Sequence, residues 1–474
     1  MKKRIIAFIL LACMLICSML TGCDNGGTNS TNAPYIDTSV NLEGDPLIVY
    51  CYGFSEQTSN LIEKYNKHCA IYGDYNDRIE VIRYTEFSKF NSAVTTELMA
   101  GKGPDVFFLD SPLPFEKMTE NGSLLDINEL IKGKDADIDF ADYNKVIMDA
   151  GVFEGKRYIL PVFYCVDTFF STQDRVDALG IDPDTITYRE LADIKESGKN
   201  FIFADNTDNY GKERLLHCII RQFADFEEKK TYFDTEEFAS ILDSINTLYE
   251  GSEGAEEDYF FENTDILTKS TYSYNYYGAS PQSVSERYIL QQEAGKELIL
   301  FPAYSREGKV SAYIEAGIAV NANTEKTDKV MKLIEFLLSD KTQSYHCGAL
   351  SKERLYTYST CSLPVKNSIL DKAFQVELED NTYSSGEDTE YVDPELLKQQ
   401  DVINENKNRF LRDEFRPLVD SIEECTLFYC REPQQSYYIL NIAQELTDKY
   451  LQGTITKEKF IAQLDSATKA YMTE

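Results

Sequence analysis

Along the first hundred residues, apolar positions alternate between short continuous runs and helical spacing. Pro46-Leu47-Ile48-Val49-Tyr50-Cys51-Tyr52 is unbroken and β-rich, which predicts a buried strand. Leu61, Ile62 and Tyr65 then share one face of a helix predicted over 58–69. Residues 79–84 read as a second strand, 87–99 as a helix stopped by Gly101 and Gly103, and 106–109 as a third strand. Strands and helices alternating at this spacing predict an α/β fold with a parallel sheet. In open sheets of that kind, ligands sit beyond the carboxyl ends of the strands.

Farther on, 153–164 reads as a hairpin turn running into an extended strand, and helical spacing dominates 175–244. A strand over 297–301 leads to Pro302, and 312–321 is another. Val330, Leu333, Ile334, Leu337 and Leu338 form the apolar stripe of a helix over 326–339. The last hundred residues are largely helical. Two helices, 435–452 and 457–472, are parted by Gly453 at a C-cap position, with Thr456 as N-cap of the second.

The amino terminus has a different pattern. Lys2-Lys3-Arg4 precedes an uncharged run from Ile5 to Leu20, then Leu20-Thr21-Gly22-Cys23 and a polar Gly/Ser/Thr/Asn stretch. A basic start, an apolar core and a small-residue site mark a secretory signal. The core has about 16 residues, short of the ~20 that span a bilayer. The tetrad matches the bacterial lipobox, in which a diacylglyceryl group joins the Cys thiol before cleavage. Residues 1–22 are thus expected to be a signal peptide, Cys23 a lipid anchor, and 23–44 a flexible tether, with the folded part beginning near Asp45.

Roughly 450 residues remain, too many for one core, so two lobes are expected. Net charge is -33, and the leader carries Lys2, Lys3 and Arg4 with no acid, so the mature chain is more acidic still. Such a field excludes nucleic acid as a partner. Acids are denser over 250–262 and 377–395, as solubilising loops. Of the 11 Cys, Cys13 and Cys17 leave with the leader. Among the rest, Cys425 with Cys430 and Cys347 with Cys361 are the nearest pairs for disulfides, and buried thiols are the equal alternative.

Reactive chemistry finds little support. Asp135, Asp137 and Asp139 alternate like a calcium loop, but Phe140 replaces the required Gly and Val146 the bidentate Glu. His68, His217 and His346 lack zinc spacing, and neither a nucleophile elbow nor a phosphate loop occurs. No catalytic residue, metal or cofactor is expected, and with 80 acids no particular carboxylate pair stands out.

Four stretches carry a family resemblance: Glu97-Leu98-Met99-Ala100-Gly101-Lys102-Gly103-Pro104-Asp105-Val106, Glu154-Gly155-Lys156-Arg157-Tyr158-Ile159-Leu160-Pro161, the segment from Tyr313 through Glu315-Ala316-Gly317 to Thr342-Gln343, and Tyr450-Leu451-Gln452-Gly453. In this order they resemble the sugar-type extracellular solute-binding proteins of ABC importers, the maltose-binding-like group. The resemblance implies a two-lobed periplasmic-binding-protein-like clamp, with mixed sheets flanked by helices and a helical C-terminal region. Lobe 1 would be 45–162 plus 304–345, and lobe 2 would be 166–300 plus 350–474. Crossings would fall near 162–166, 302–304 and 347–350.

Such a receptor would be a monomer, held outside the cell membrane by its lipid, passing an oligosaccharide to permease subunits. Sugars need aromatic planes for C–H faces and carboxylates, amides or Arg for hydroxyls. Strand ends and crossings supply Tyr52, Phe54, Asp110, Tyr164, Asp167 and Tyr304. Tyr272 and Tyr274 lie where the family stacks Trp, and Tyr437 opens a late helix that faces the cleft in such proteins. Asp105 is expected to be structural. The chain has no Trp but 32 Tyr and 27 Phe. A peptide, polyamine or other non-sugar solute on the same fold, or a sensor or adhesin without transport, are the alternatives.

Overall fold

The structure is a computed structural model. It describes residues 41–54, 56–134, 136–184, 186–199, 202–204, 209–250, 266–269, 284, 288, 295–303, 305–346, 362–375, 402, 405–427 and 436–473.

Strand β1 (Leu47–Cys51) pairs in parallel with β2 (Ile79–Arg83), joined by the helix Glu56–Tyr72. The helix Phe87–Met99 returns the chain to β3 (Val106–Phe108). β3 does not join a parallel ladder with β1. Instead Asp105, just before it, stitches the two together: its backbone N–H donates to Ile48 O and its carboxylate accepts from Ile48 N, each at 2.8 Å. The same carboxylate accepts from Thr324 Oγ1 at 2.6 Å and Lys326 Nζ at 3.1 Å. Asp105 is thus structural, as expected, and acts as a junction between β1, β3 and the turn at Thr324. Asn321 completes the knot by donating to Lys102 O at 3.1 Å and Pro104 O at 2.8 Å.

The hairpin of β4 (Val152–Phe153) and β5 (Lys156–Arg157) turns at Glu154 and Gly155, whose φ values of 49° and 78° are both left-handed. Two such residues in succession give the turn that matches strand twist. Arg157 is buried, donates to Asn128 Oδ1 and Met148 O, and lies over the Phe140 ring at 4.4 Å. β6 (Ile159–Val166) follows, buried along its whole length, and only Asp167 separates it from β7 (Thr168–Thr172).

Next come β8 (Ile202–Ala204), the small pair β9 (Ala224–Asp225) and β10 (Lys230–Thr231), then β11 (Ile266–Lys269) and β12 (Leu298–Pro302). β8 is a strand inside the stretch whose spacing reads as helical, and it runs parallel to β11. β13 (Ser311–Val320), β14 (Leu363–Pro364) and β15 (Glu424–Thr426) complete the strands.

Two larger sheets result. One has the order β14-β6-β13-β15, with β3 also on β13, and the other β12-β7-β11-β8. The fold is α/β and two-lobed, and the chain forms two cores, with the second sheet facing both: Phe170 of β7 and Leu298 of β12 enter the first core, and Phe169 and Phe301 the second. The first core gathers side chains such as Phe90, Phe108, Phe115, Leu160, Ile318 and Leu337, and the second Leu191, Ile220, Phe223, Phe238, Ile439 and Phe460. Leu363, Phe374, Phe415 and Leu427 also enter the first core, because β14 pairs with β6 and β15 with β13. Only the last helices, 436–473, pack into the second. Gln343, wholly buried, ties the helix Asp340–His346 to β6 by donating to Val162 O at 3.2 Å.

Gly453 has φ 68° at the end of the helix Gln444–Leu451, and Thr456 Oγ1 accepts from Lys459 N at 3.3 Å, as expected for the two caps. Asp139 caps a helical turn by accepting from Ala141 N at 2.9 Å. No group of three or more His, Cys, Asp or Glu suited to a metal occurs among the described residues. Cys51, Cys69 and Cys425 carry free thiols, and Cys425 lies within β15 against β13. Cys347, Cys361 and Cys430 lie outside the described residues.

Candidate ligand cleft

The chain leaves β1 through Tyr52, Gly53 and Phe54. Gly53 takes φ 74°, a left-handed bend that a side chain resists, and the bend carries both aromatics past the strand end. Phe54 meets Phe108 edge-on with centroids 5.6 Å apart. Tyr52 stacks on Phe90 at 6.1 Å and leans on Phe87 at 5.7 Å. Phe87 opens the helix after β2, and its other neighbour belongs to the second core: Tyr437, at 6.3 Å. Tyr437 stacks in turn on Tyr471 at 6.1 Å and 29°. One row of rings therefore runs from one lobe to the other.

Tyr437 begins a helix with a π-type turn at Ile439–Ala443. Such turns are frequent at functional sites. Here it buries Ile439 and Ala443 beneath Tyr437, which stays half-buried.

Beside the row, the short helix Phe115–Glu120 sends Phe115 and Met118 into the first core. Its polar face reaches the other lobe. Glu116 Oε1 lies 3.2 Å from Arg221 Nη2, with both side chains mostly buried, and Glu120 is 3.0 Å from Lys229. Lys117 Nζ stands 4.5 Å from the centre of the Tyr471 ring. Burial raises the Tyr471 phenol well above its ordinary range, and Glu116 adds to the shift.

Asp110 is buried just past β3. Burial, and more weakly Asp110, push the Cys51 thiol up to about 11, against Arg83 and backbone N–H groups. Asp167 is half-buried, and its backbone joins two crossings: its N–H donates to Ser311 O, and its carbonyl accepts from Ala303 N, both at 3.1 Å. Tyr164 is wholly buried between Ile314 of β13 and Leu363 of β14. Burial raises its phenol, with Asn144 and Arg416 acting the other way. Tyr164 is therefore a core residue and not a cleft surface, because β6 is covered on both faces.

Of the residues expected at the site, the structure brings Tyr52 and Tyr437 into one row. Tyr272, Tyr274, Tyr304 and Cys23 lie outside the described residues. Phe87, Tyr471, Glu116 and Arg221 were not among those expected. Phe87 sits just past β2, so applying the strand-end rule to that strand would have found it. The Glu116–Arg221 pair spans 105 positions and has no local signature. A separate cavity of about 480 Å³, walled by Tyr288, Lys296, Glu297, Asn406, Arg409 and Asp413 among others, shares no residue with the row.

Residues 73–344, more than half of the chain, match the bacterial extracellular solute-binding protein family. The chain belongs to that family. Its members are binding proteins that work outside the cytoplasm.

Solved structures share the fold of this solute-binding protein at low identity. An ABC substrate-binding protein from Listeria monocytogenes, in complex with cycloalternan, has TM-score 0.53 and 15% identity, covering 90% of this chain and 99% of that one. The sugar-binding protein MalE from Xanthomonas citri gives 0.52 and 15%, with 90% and 97% covered. A solute-binding protein from Thermotoga lettingae, bound with alpha-D-tagatose, gives 0.50 and 15%, with 90% and 99% covered. No curated protein matches the chain in sequence.

Proposed function

We propose that this protein is a lipid-anchored receptor that captures an oligosaccharide between its lobes and hands it to the permease of an ABC importer. The observation that carries the sugar reading is the row Tyr52, Phe87, Tyr437 and Tyr471, which crosses the seam. Aromatic faces pack on the C–H faces of sugars, and a chain without Trp must use Tyr and Phe for this. Relatives of the same fold hold cycloalternan and tagatose, which supports the same ligand class. Asp110 and Asp167 are the proposed hydroxyl partners, with Phe54, Tyr272, Tyr274 and Tyr304 as further ring contacts.

The proposed lobes follow the two larger sheets. Lobe 1 holds β1 to β3, β6 and β13 to β15; lobe 2 holds β7 to β12 and the terminal helices. Closure on ligand would present both lobe surfaces to the permease, a differential-affinity mechanism in which ligand favours the closed state. The receptor acts as a monomer, with Cys23 as its lipid site.

Thermal unfolding of the chain lacking residues 1–23, with a glycan panel, tests the ligand class. A ligand at about a hundredfold its Kd adds roughly 2.7 kcal/mol, enough for a clear rise in Tm. A panel of sugars without effect, beside a shift with peptides or polyamines, would replace the sugar reading by the cationic one that the net charge of -33 favours.

A further inference from the structure

Four large apolar side chains stand exposed at one corner of lobe 1: Leu42 at 58%, Ile71 at 57%, Tyr72 at 70% and Tyr75 at 53%. Among the described residues the other large apolar side chain so exposed is Val402. The four are held together by local structure. Ile71 and Tyr72 end the helix Glu56–Tyr72, and Tyr75 opens the turn Tyr75–Asp77. Arg78 lies over the Tyr75 ring at 4.3 Å while donating to Asn41 O and Glu43 O. The residues flanking Leu42 are therefore fastened beside Tyr75.

Two relationships give the corner its meaning. β1 and β2 run in parallel away from it, Leu47 beside Ile79 at the start and Cys51 beside Arg83 at the end, and Tyr52 follows at the cleft. The corner is thus at the far end of the lobe from the ring row. It is also where the chain arrives from Cys23, through the 17 residues 24–40.

We propose that this corner is a membrane-resting surface, with Leu42, Ile71, Tyr72 and Tyr75 seated among the lipid headgroups and the cleft turned outward. The proposal rests on the lipid-anchor reading of Cys23. Tyrosine is favoured where an apolar ring meets a wet headgroup layer, and exposed apolar side chains gathered at one end of a lobe mark an interaction surface. The net charge of -33 opposes free adsorption to anionic lipid, so the tether supplies the local concentration that makes a weak contact populated. Cations sit on the rings themselves: Arg78 over Tyr75 and Lys341 over Tyr72 at 5.5 Å.

Because the chain has no Trp, Tyr72→Trp and Tyr75→Trp are single reporters, and Val402→Trp is the exposed control. Each full-length chain is expressed in a bacterium, recovered in its processed form and reconstituted in vesicles of phosphatidylethanolamine and phosphatidylglycerol with and without spin-labelled lipid. The expected result is blue-shifted emission and several-fold stronger quenching at 72 and 75 than at 402. Emission at 72 equal to that at 402, with protein still sedimenting with the vesicles, overturns the contact while leaving the anchor intact. Protein that does not sediment with vesicles removes the anchor and the contact together. A blue shift that follows protein concentration and ignores the quencher overturns the proposal in favour of a second copy of the chain on this patch.

Discussion

Arg221 and Glu116, 105 positions apart in sequence, face each other at 3.2 Å across the seam between the lobes, each with less than a fifth of its side chain exposed. A pair this sheltered is screened less than a surface bridge. Hydrogen bonds to charged groups contribute about 1.5–3 kcal/mol, so the contact helps hold the two sides of the seam together. Arg221 is itself braced by Ala224 O at 3.1 Å and by the Phe226 ring at 4.1 Å.

Glu116→Gln is therefore expected to shift the clamp toward its open form and weaken ligand binding about tenfold, near 1.4 kcal/mol. Calorimetric titration of the single and double variants with Arg221→Gln measures the coupling. Additive losses would show that the two residues act separately.

Tyr437 has a ring contact on each side of the seam, Phe87 and Tyr471. Tyr437→Ala should lower ligand affinity by about tenfold, since aromatic pairs contribute roughly 0.5–1.5 kcal/mol beyond buried area. Tyr437→Phe should keep most of that affinity. Equal loss in both variants would move the role from the ring to the hydroxyl.

Asp105 joins β1, β3 and the turn at Thr324 through contacts of 2.6 to 3.1 Å. Asp105→Ala should cost about 2–4 kcal/mol in urea unfolding, because Ile48 N and Lys326 lose a buried acceptor. Ligand affinity of the folded fraction should hardly change.

Gly317 needs no special backbone angle, but an added Cβ would lie 2.6 Å from Leu109 Cδ1 and 2.9 Å from Leu160 O. Gly317→Ala should destabilise the first lobe by about 1–3 kcal/mol, the usual cost of overpacking. A melting temperature equal to the parent's would show that β13 yields without cost.

Glu424 gives a pH prediction. Burial raises its carboxyl above the ordinary 4.5, with Glu307 and Asp167 acting the same way and Ser305 and Lys309 opposing. Its protonated form is favoured in the folded state, so its contribution is complete below pH 4.5 and lost as pH rises through the raised value. Glu424→Gln should thus be more stable than the parent at neutral pH, with the difference fading below pH 4.5. Melting curves across that window measure it.

The strands and helices were legible wherever periodicity was strong. Pro46 to Tyr52 and the stripe Val330, Leu333, Ile334, Leu337 and Leu338 could bury themselves in only one way. β8 escaped notice because three residues carry too little pattern between helices. Sequence order also hid the placement of β14 and β15, since strand pairing, and not position in the chain, takes residues 363–427 to the first core. In the candidate cleft, the strand-end rule pointed to Tyr52, which the structure places in the ring row. It misplaced Tyr164, whose alternate-face neighbours arrive from β13 and β14, far along the chain.

The joint between β6 and β7 is one residue long, Asp167, and both strands are fully buried. No slack loop absorbs rotation there. The carbonyl and N–H of Asp167 are also pinned to Ala303 and Ser311. In the proposed clamp such a joint would work as a flexure, not a swivel, restricting the lobes to a narrow arc and returning them along the same path. Distances between labels on the two lobes should accordingly fall into a tight distribution in each state, with the solute selecting a point on one arc.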